Sequence, residues 1–495
     1  IYQCDWSSDV CSSDLGAPAG DGTVTSTFVA TDVAGNTLTQ SGSTAFVLDN
    51  LAPSITIGYQ IIPDSTQTLP TSGYASSVAR PIHDGESLAI EVVATDVGTI
   101  SGSPTLTVTA TGDIAPRTVT LVEVTAASGT RAWRGSFDAP HGTRAYDGSA
   151  TVALTVSGIA DAAGNAASVA SGQSFTFIID STPPSVAIAY QVTDRTTAAP
   201  ATGYTASLTS PVNGTKRIAL QLSVTETGGS DGTVTGPPIV SVTPYGGSAS
   251  SVSMTESATG SKVWRGTYDV PTTGSDGTAT VALTVSGISD ASGNTAAVAS
   301  GQTTSFVIDN TPPVATLAYH RLAKANPDPD LAYVYNDSLA TPLNGTQDLA
   351  VQLTITEAGG TGTVTGAPTL GITIGGTTTP VTLTQTATGS KVWRGRFATI
   401  PATGDTTASV VTGLGAVADE ATNGAVLASG QVTSFAIDNT KPNVTLEYLI
   451  DGASYVAAPR AVRGADAGLT VRATFTNTAS DRKSTRLNSS HTDIS

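Results

Sequence analysis

Through most of the chain, small aliphatic residues alternate with threonine, serine and alanine. Val281, Leu283 and Val285 recur at every second position of TATVALTVSG, and Leu220, Leu222 and Val224 do the same in RIALQLSVT. In KVWRGTYD, Trp264, Gly266 and Tyr268 share one face while Arg265 and Thr267 share the other. A period of two marks half-buried antiparallel strands rather than helices. Read across residues 182–310, it predicts about seven: SVAIAY, RIALQLSVT, PIVSVTP, ASSVSMT, KVWRGTYD, TATVALTVS and TSFVID, separated by Gly, Pro, Ser and Asp turns. That is the profile of a β-sandwich.

The pattern repeats. GIADAAGN with Asp161 returns as GISDASGN with Asp290 and, altered, as AVADEATNG with Asp419, at intervals of 129 and 129 residues. FIIDSTPP (Asp180), FVIDNTPP (Asp309) and FAIDNTKP (Asp438) keep the same interval of 129, and FVLDNLAP (Asp49) lies 131 residues before Asp180. Trp133, Trp264 and Trp393 follow at 131 and 129, and Tyr59, Tyr190, Tyr319 and Tyr448 at 131, 129 and 129. Four markers in phase predict an all-β array of tandem sandwiches: part of a repeat at 16–50, complete repeats at 51–181, 182–310 and 311–439, and the start of another at 440–480. A tryptophan in each complete repeat is expected to plug its core. Proline pairs such as Pro183-Pro184 and Pro312-Pro313 stiffen the short linkers, which predicts an extended, monomeric array.

Two segments stand apart. Residues 1–15 (IYQCDWSSDVCSSDL) and 481–495 (DRKSTRLNSSHTDIS) share nothing with the repeats and resemble translated sequencing-adapter sequence. They are excluded from fold reasoning, and the remainder is expected to be an internal fragment of a longer protein. Both cysteines, Cys4 and Cys11, go with them, so the repeats contain neither a disulfide framework nor a cysteine-based zinc site.

Composition then narrows the function classes. The full chain carries 39 acidic and 22 basic side chains, a net charge of −17; without the two terminal runs the balance is 34 to 19, still −15. With no basic patch to neutralise phosphates, a nucleic-acid partner is not expected. No apolar run reaches the roughly 18 residues of a membrane helix. The remaining histidines, His83, His141 and His320, occupy unmatched positions, and no H-E-x-x-H, G-x-S-x-G or phosphate-loop pattern occurs. Catalysis needs a base beside a nucleophile, and no spacing provides one, so an enzyme is not expected within these residues.

The D-x-(A/S)-G-N turn, the closing F-x-I-D-(N/S)-T-x-P linker and the VTE or ITE ending the second strand resemble tandem bacterial immunoglobulin-like (Big-type) domains over residues 17–480. Such domains form arrays in large surface adhesins and other secreted proteins. The resemblance implies an extracellular location, at the bacterial surface or secreted, and a host or matrix glycan or protein as partner. Related surface modules use a buried lysine for isopeptide cross-links. Lys262 and Lys391 precede two of the tryptophans, but Arg131, which cannot do that chemistry, holds the third place.

Three sets of acids do recur. Asp49, Asp180, Asp309 and Asp438 stand in linkers; Asp96, Glu226 and Glu357 end the second strand; Asp161, Asp290 and Asp419 open the late turn. Each alone fits a turn or a solvated strand end. Together they fit something else. In a sandwich of alternating strands, the loop after the second strand and the loop before the last lie at the pole where the preceding linker arrives. That topology predicts three junction clusters: Asp49, Asp96 and Asp161; Asp180, Glu226 and Asp290; Asp309, Glu357 and Asp419. Clustered carboxylates repel one another, and a calcium ion with six to eight oxygen ligands would relieve that cost, aided by linker amides such as Asn310. A fourth cluster around Asp438 has Asn477 in place of an acid and is expected to be weaker. The functional expectation is a non-catalytic stalk or binding region of an adhesin or biofilm-matrix protein. The alternative is an immunoglobulin-like spacer or carbohydrate-binding region of a secreted polysaccharide-active enzyme.

Overall fold

The computed structural model describes residues 21–476, except 26–27, 32, 41–44, 128, 141–145, 228–233, 325–330, 359–361, 451–453, 455 and 458–468. The terminal runs 1–15 and 481–495, His141, the Asp328-Pro329-Asp330 stretch and Asn477 lie outside the described residues. Among the described residues every regular element is a strand. The protein is a tandem of immunoglobulin-like β-sandwiches.

In the second repeat the first, second and fifth strands of the alternating pattern build one sheet. Its order is Thr255–Glu256, Val263–Asp269, Lys216–Thr225, Ser185–Asp194 and Ala297–Val298. The third, sixth and seventh build the other, in the order Ser250–Val252, Ile239–Thr243, Gly277–Thr284 and Ser305–Ile308. All pairings are antiparallel except Ser185–Asp194 with Ala297–Val298. The first and third repeats share this plan, with sheets of five and four strands. At the two ends of the array, Asn443–Ile450 pairs with Leu469–Thr476, and Gly22–Thr25 pairs with Ala45–Leu48.

The fourth segment, ASSVSMT, crosses between sheets: Ser250–Val252 joins one and Thr255–Glu256 the other. The crossing explains the glycine of W-R-G. A Cβ on Gly266 would lie 2.6 Å from the Ser253 carbonyl oxygen, and on Gly135 or Gly395 it would meet Thr120 or Thr382 oxygen at 2.5 and 2.7 Å. The edge segment passes over the strand at the one residue without a side chain.

Register places the apolar alternation inward. Leu222 faces Trp264 and Leu220 faces Gly266 across the central pair. Trp133, Trp264 and Trp393 are buried, at 2%, 7% and 7% exposure. Tyr190 is buried beside Phe306, its hydroxyl donating to the Thr303 carbonyl at 2.5 Å, and burial pushes the phenol up to about 12. Each core draws on one repeat only: Ile55 to Ile179, Val186 to Ile308, and Ala315 to Ile437.

Candidate metal centre

Each linker carries its acid directly out of the last strand of a sandwich, and two local devices fix it. The linker carboxylate accepts from a backbone N–H two residues on: Leu51 to Asp49 at 3.2 Å, Thr182 to Asp180 at 3.1 Å, Thr311 to Asp309 at 3.0 Å and Thr440 to Asp438 at 2.9 Å. This is the turn that aspartate forms with its own backbone. A second aspartate clamps the linker from the side. Asp276 accepts the Asn310 N–H at 2.8 Å and the Thr311 hydroxyl at 2.5 Å; Asp405 does the same for Asn439 and Thr440, and Asp147 for Ser181 and Thr182.

The late turn is built just as firmly. Asp290 Oδ1 accepts from the Gly293 and Asn294 N–H groups at 2.8 and 2.9 Å, and its Oδ2 accepts from Asn294 Nδ2 at 2.8 Å. Asn294 Nδ2 also donates 2.8 Å to the backbone carbonyl of the linker acid Asp180. Asn165 repeats this toward Asp161 and the Asp49 carbonyl, and Asn423 toward Asp419 and the Asp309 carbonyl, each linker contact at 2.8 Å. One amide thus holds the late turn against the incoming linker. A two-residue strand pairing adds the third element: Val234 faces Asp290, Ile100 faces Asp161 and Val364 faces Asp419. The pairing ties the chain just past the second-strand acid to the turn acid.

Three carboxylate groups converge as a result. Asp49, Asp96 and Asp161 form one set, Asp180, Glu226 and Asp290 the next, and Asp309, Glu357 and Asp419 the third. In each set, one oxygen per residue lies within 4.8 Å of the others. These are the sets that the strand topology predicts. Asp438 sits in the same kind of linker turn, but its partner Asn477 lies outside the described residues.

Burial makes the charges matter. Asp180, Asp309, Asp161, Asp290 and Asp419 are all buried, Asp180 completely. Burial, followed by the charges of Asp419, Glu357 and Asp276, pushes the Asp309 carboxyl above its ordinary value. Burial pushes Asp161 upward too, but the bonds from Asn165 and from the backbone N–H groups of the turn outweigh it and hold the carboxyl low. One oxygen of Asp96 is buried and accepts no hydrogen bond from the described residues. In each set the three carboxylate oxygens are near enough to one another to share one cation.

The preceding repeat also touches the turn. Arg80 Nη1 donates 2.8 Å to the Ser292 carbonyl, and Asn213 Nδ2 donates 2.6 Å to the Ala421 carbonyl, the matching position one repeat on. His83 is paired with Glu86 at 3.6 Å, and His320 stacks on Tyr333 at 4.6 Å. Neither joins a carboxylate set. Lys391 Nζ donates to the Gly362 carbonyl.

No family model matches the chain, and no curated protein matches it. Among solved structures it is similar to an I-band fragment of titin, at 11% identity over 77% of this chain and 100% of that one, with a TM-score of 0.24. A second titin fragment, the I9–I11 tandem, matches at 9% identity over 69% and 92%, TM-score 0.20. The FN1–FN3 domains of chicken CNTN1 match at 9% identity over 79% and 100%, TM-score 0.21.

Proposed function

We propose that this chain is a stalk region of a bacterial cell-surface or secreted adhesin, in which calcium at the junctions sets the stiffness of the array. The observation that carries the reading is threefold recurrence. One linker acid, one second-strand acid and one turn acid meet at each of three successive junctions. A role inside a single sandwich would not require the linker acid.

The chemistry favours an ion that tolerates irregular oxygen shells. Each set supplies three carboxylates, and the linker carbonyls and amides stand beside them. A bound divalent cation would offset both the burial and the neighbouring charges that lift Asp309. Loop-built sites of this kind bind calcium at about 10⁻⁴–10⁻³ M in extracellular modules, which suits a protein working outside the cell. The net charge of −15 on the repeats keeps such an array soluble and apart from its copies. The tip of such a stalk would present to a glycan or protein surface.

Titration of the full chain with calcium and then with chelator tests this, read by melting temperature and by maximum dimension from small-angle scattering. Calcium should raise the first and lengthen or narrow the distribution of the second, and Asp290→Asn should weaken both effects. No change in either quantity on addition of millimolar calcium would overturn the calcium reading.

A further inference from the structure

Asn-Gly occurs at three places: Asn213-Gly214, Asn344-Gly345 and Asn423-Gly424. At this dipeptide the glycine nitrogen, unshielded by a Cβ, can attack the preceding side-chain amide. The structure treats the three differently. The Gly214 N–H donates 2.6 Å to Asn310 Oδ1, and the Gly345 N–H donates 2.8 Å to Asn439 Oδ1. A Cβ on either glycine would lie 2.3 Å from the backbone of Thr272 or Ala402, so both are walled in. Their asparagine oxygens are also engaged, each by the N–H and hydroxyl of Thr215 or Thr346.

Gly424 is exposed, with nothing within 4 Å of where its Cβ would be. The backbone bonds of its turn, from Asp419 N–H to the Asn423 carbonyl and from Ala425 N–H to the Val417 carbonyl, pass on either side of the Gly424 N–H. The other repeats carry Ala166 and Thr295 at this position, whose Cβ atoms obstruct the attack.

We propose that Asn423 is a site of spontaneous deamidation, and that its conversion loosens the junction between the second and third repeats. Gly424 N loses its proton and attacks Asn423 Cγ. The new C–N bond closes a succinimide, the Cγ–Nδ2 bond breaks, and Nδ2 leaves as ammonia. Water opens the ring at either carbonyl to give aspartate or isoaspartate. The product lacks the Nδ2 that donates to the Asp309 carbonyl and to Asp419 Oδ2. It sets a further negative charge beside Asp309, Glu357 and Asp419. Those two bonds pin the side chain while the junction is closed, so the reaction proceeds from the open junction. The chemistry is independent of whether a metal binds.

The test ages the full folded chain at neutral pH and follows the one-dalton mass gain at each asparagine by peptide mass spectrometry. Each hydrogen bond that must break first slows conversion by about fivefold. Asn423 must release its two Nδ2 bonds, whereas Asn213 and Asn344 must each release the glycine N–H bond and both bonds to Oδ1, so Asn423 should convert about fivefold or more faster than either. In urea the three rates should converge. Gly424→Ala should remove the excess at Asn423 without loss of fold, since alanine stands there in the first repeat, and should prevent the fall in melting temperature on ageing. Equal rates at the three sites in the folded chain, or slowest conversion at Asn423, would overturn the proposal.

Discussion

At the residue scale the three late turns make a controlled comparison. Asp161, Asp290 and Asp419 hold the same bonds, yet the residue before the turn asparagine is Gly164, Gly293 or Thr422. Gly164 and Gly293 take φ of 93° and 100°, and Thr422 is forced to 70° in the same role. A β-branched residue in the left-handed region is strained by about 1–3 kcal/mol. Its hydroxyl recovers only a 3.3 Å contact with Asn213 Nδ2. Thr422→Gly should stabilise the third repeat by about 1 kcal/mol, visible in its denaturant midpoint. Asp309 gives a second residue-scale prediction. Its carboxyl lies above its ordinary value, so the folded state binds that proton more readily than the unfolded chain does. Its ionised form therefore costs stability at neutral pH, and the cost disappears as pH falls through the raised value. In chelator at pH 7, Asp309→Asn should raise the melting temperature of the third repeat, and the gain should shrink on acidification. A gain independent of pH would assign the effect to something other than this charge.

At the scale of elements, what could be read followed from periodicity, and what could not had none. The seven strands announce themselves because five or more residues alternate, as in RIALQLSVT or KVWRGTYD. The division of ASSVSMT between two sheets leaves no trace in its alternation; it depends on Gly266 yielding space on the neighbouring strand. The pairings that complete the carboxylate sets, such as Val234–Thr235 with Ser289–Asp290, are two residues long and carry no period to detect. The acid sets themselves were legible, because strand order fixes which loops share a pole. Their supports were harder to see. Asp147, Asp276 and Asp405 recur at the same interval of 129 residues, and that spacing was the available signal. The bridging role of Asn165, Asn294 and Asn423 was hidden, since an asparagine in such a turn already has a local reason to be there. Only the linker carbonyl at 2.8 Å shows the second task.

At the scale of the whole molecule, the contrast between cores and junctions sets how the array should melt. No core cluster among the described residues crosses from one repeat to the next. The neighbours meet instead through the linker, the acid sets and a few hydrogen bonds such as Arg80 to Ser292 and Asn213 to Ala421. Stability in such a linear array is close to a sum of unit terms and nearest-neighbour terms. Truncating the buried Trp264 removes about 3–5 kcal/mol from the second sandwich alone. In chelator, calorimetry of Trp264→Ala should therefore show one early transition, with the rest of the trace close to wild type. If calcium occupies the junctions as proposed, it ties each sandwich to its neighbours only where both sides of a junction are folded, and millimolar calcium should then draw the early transition back toward the others. A single transition that shifts as a whole, with and without calcium, would mean that the three sandwiches unfold as one body.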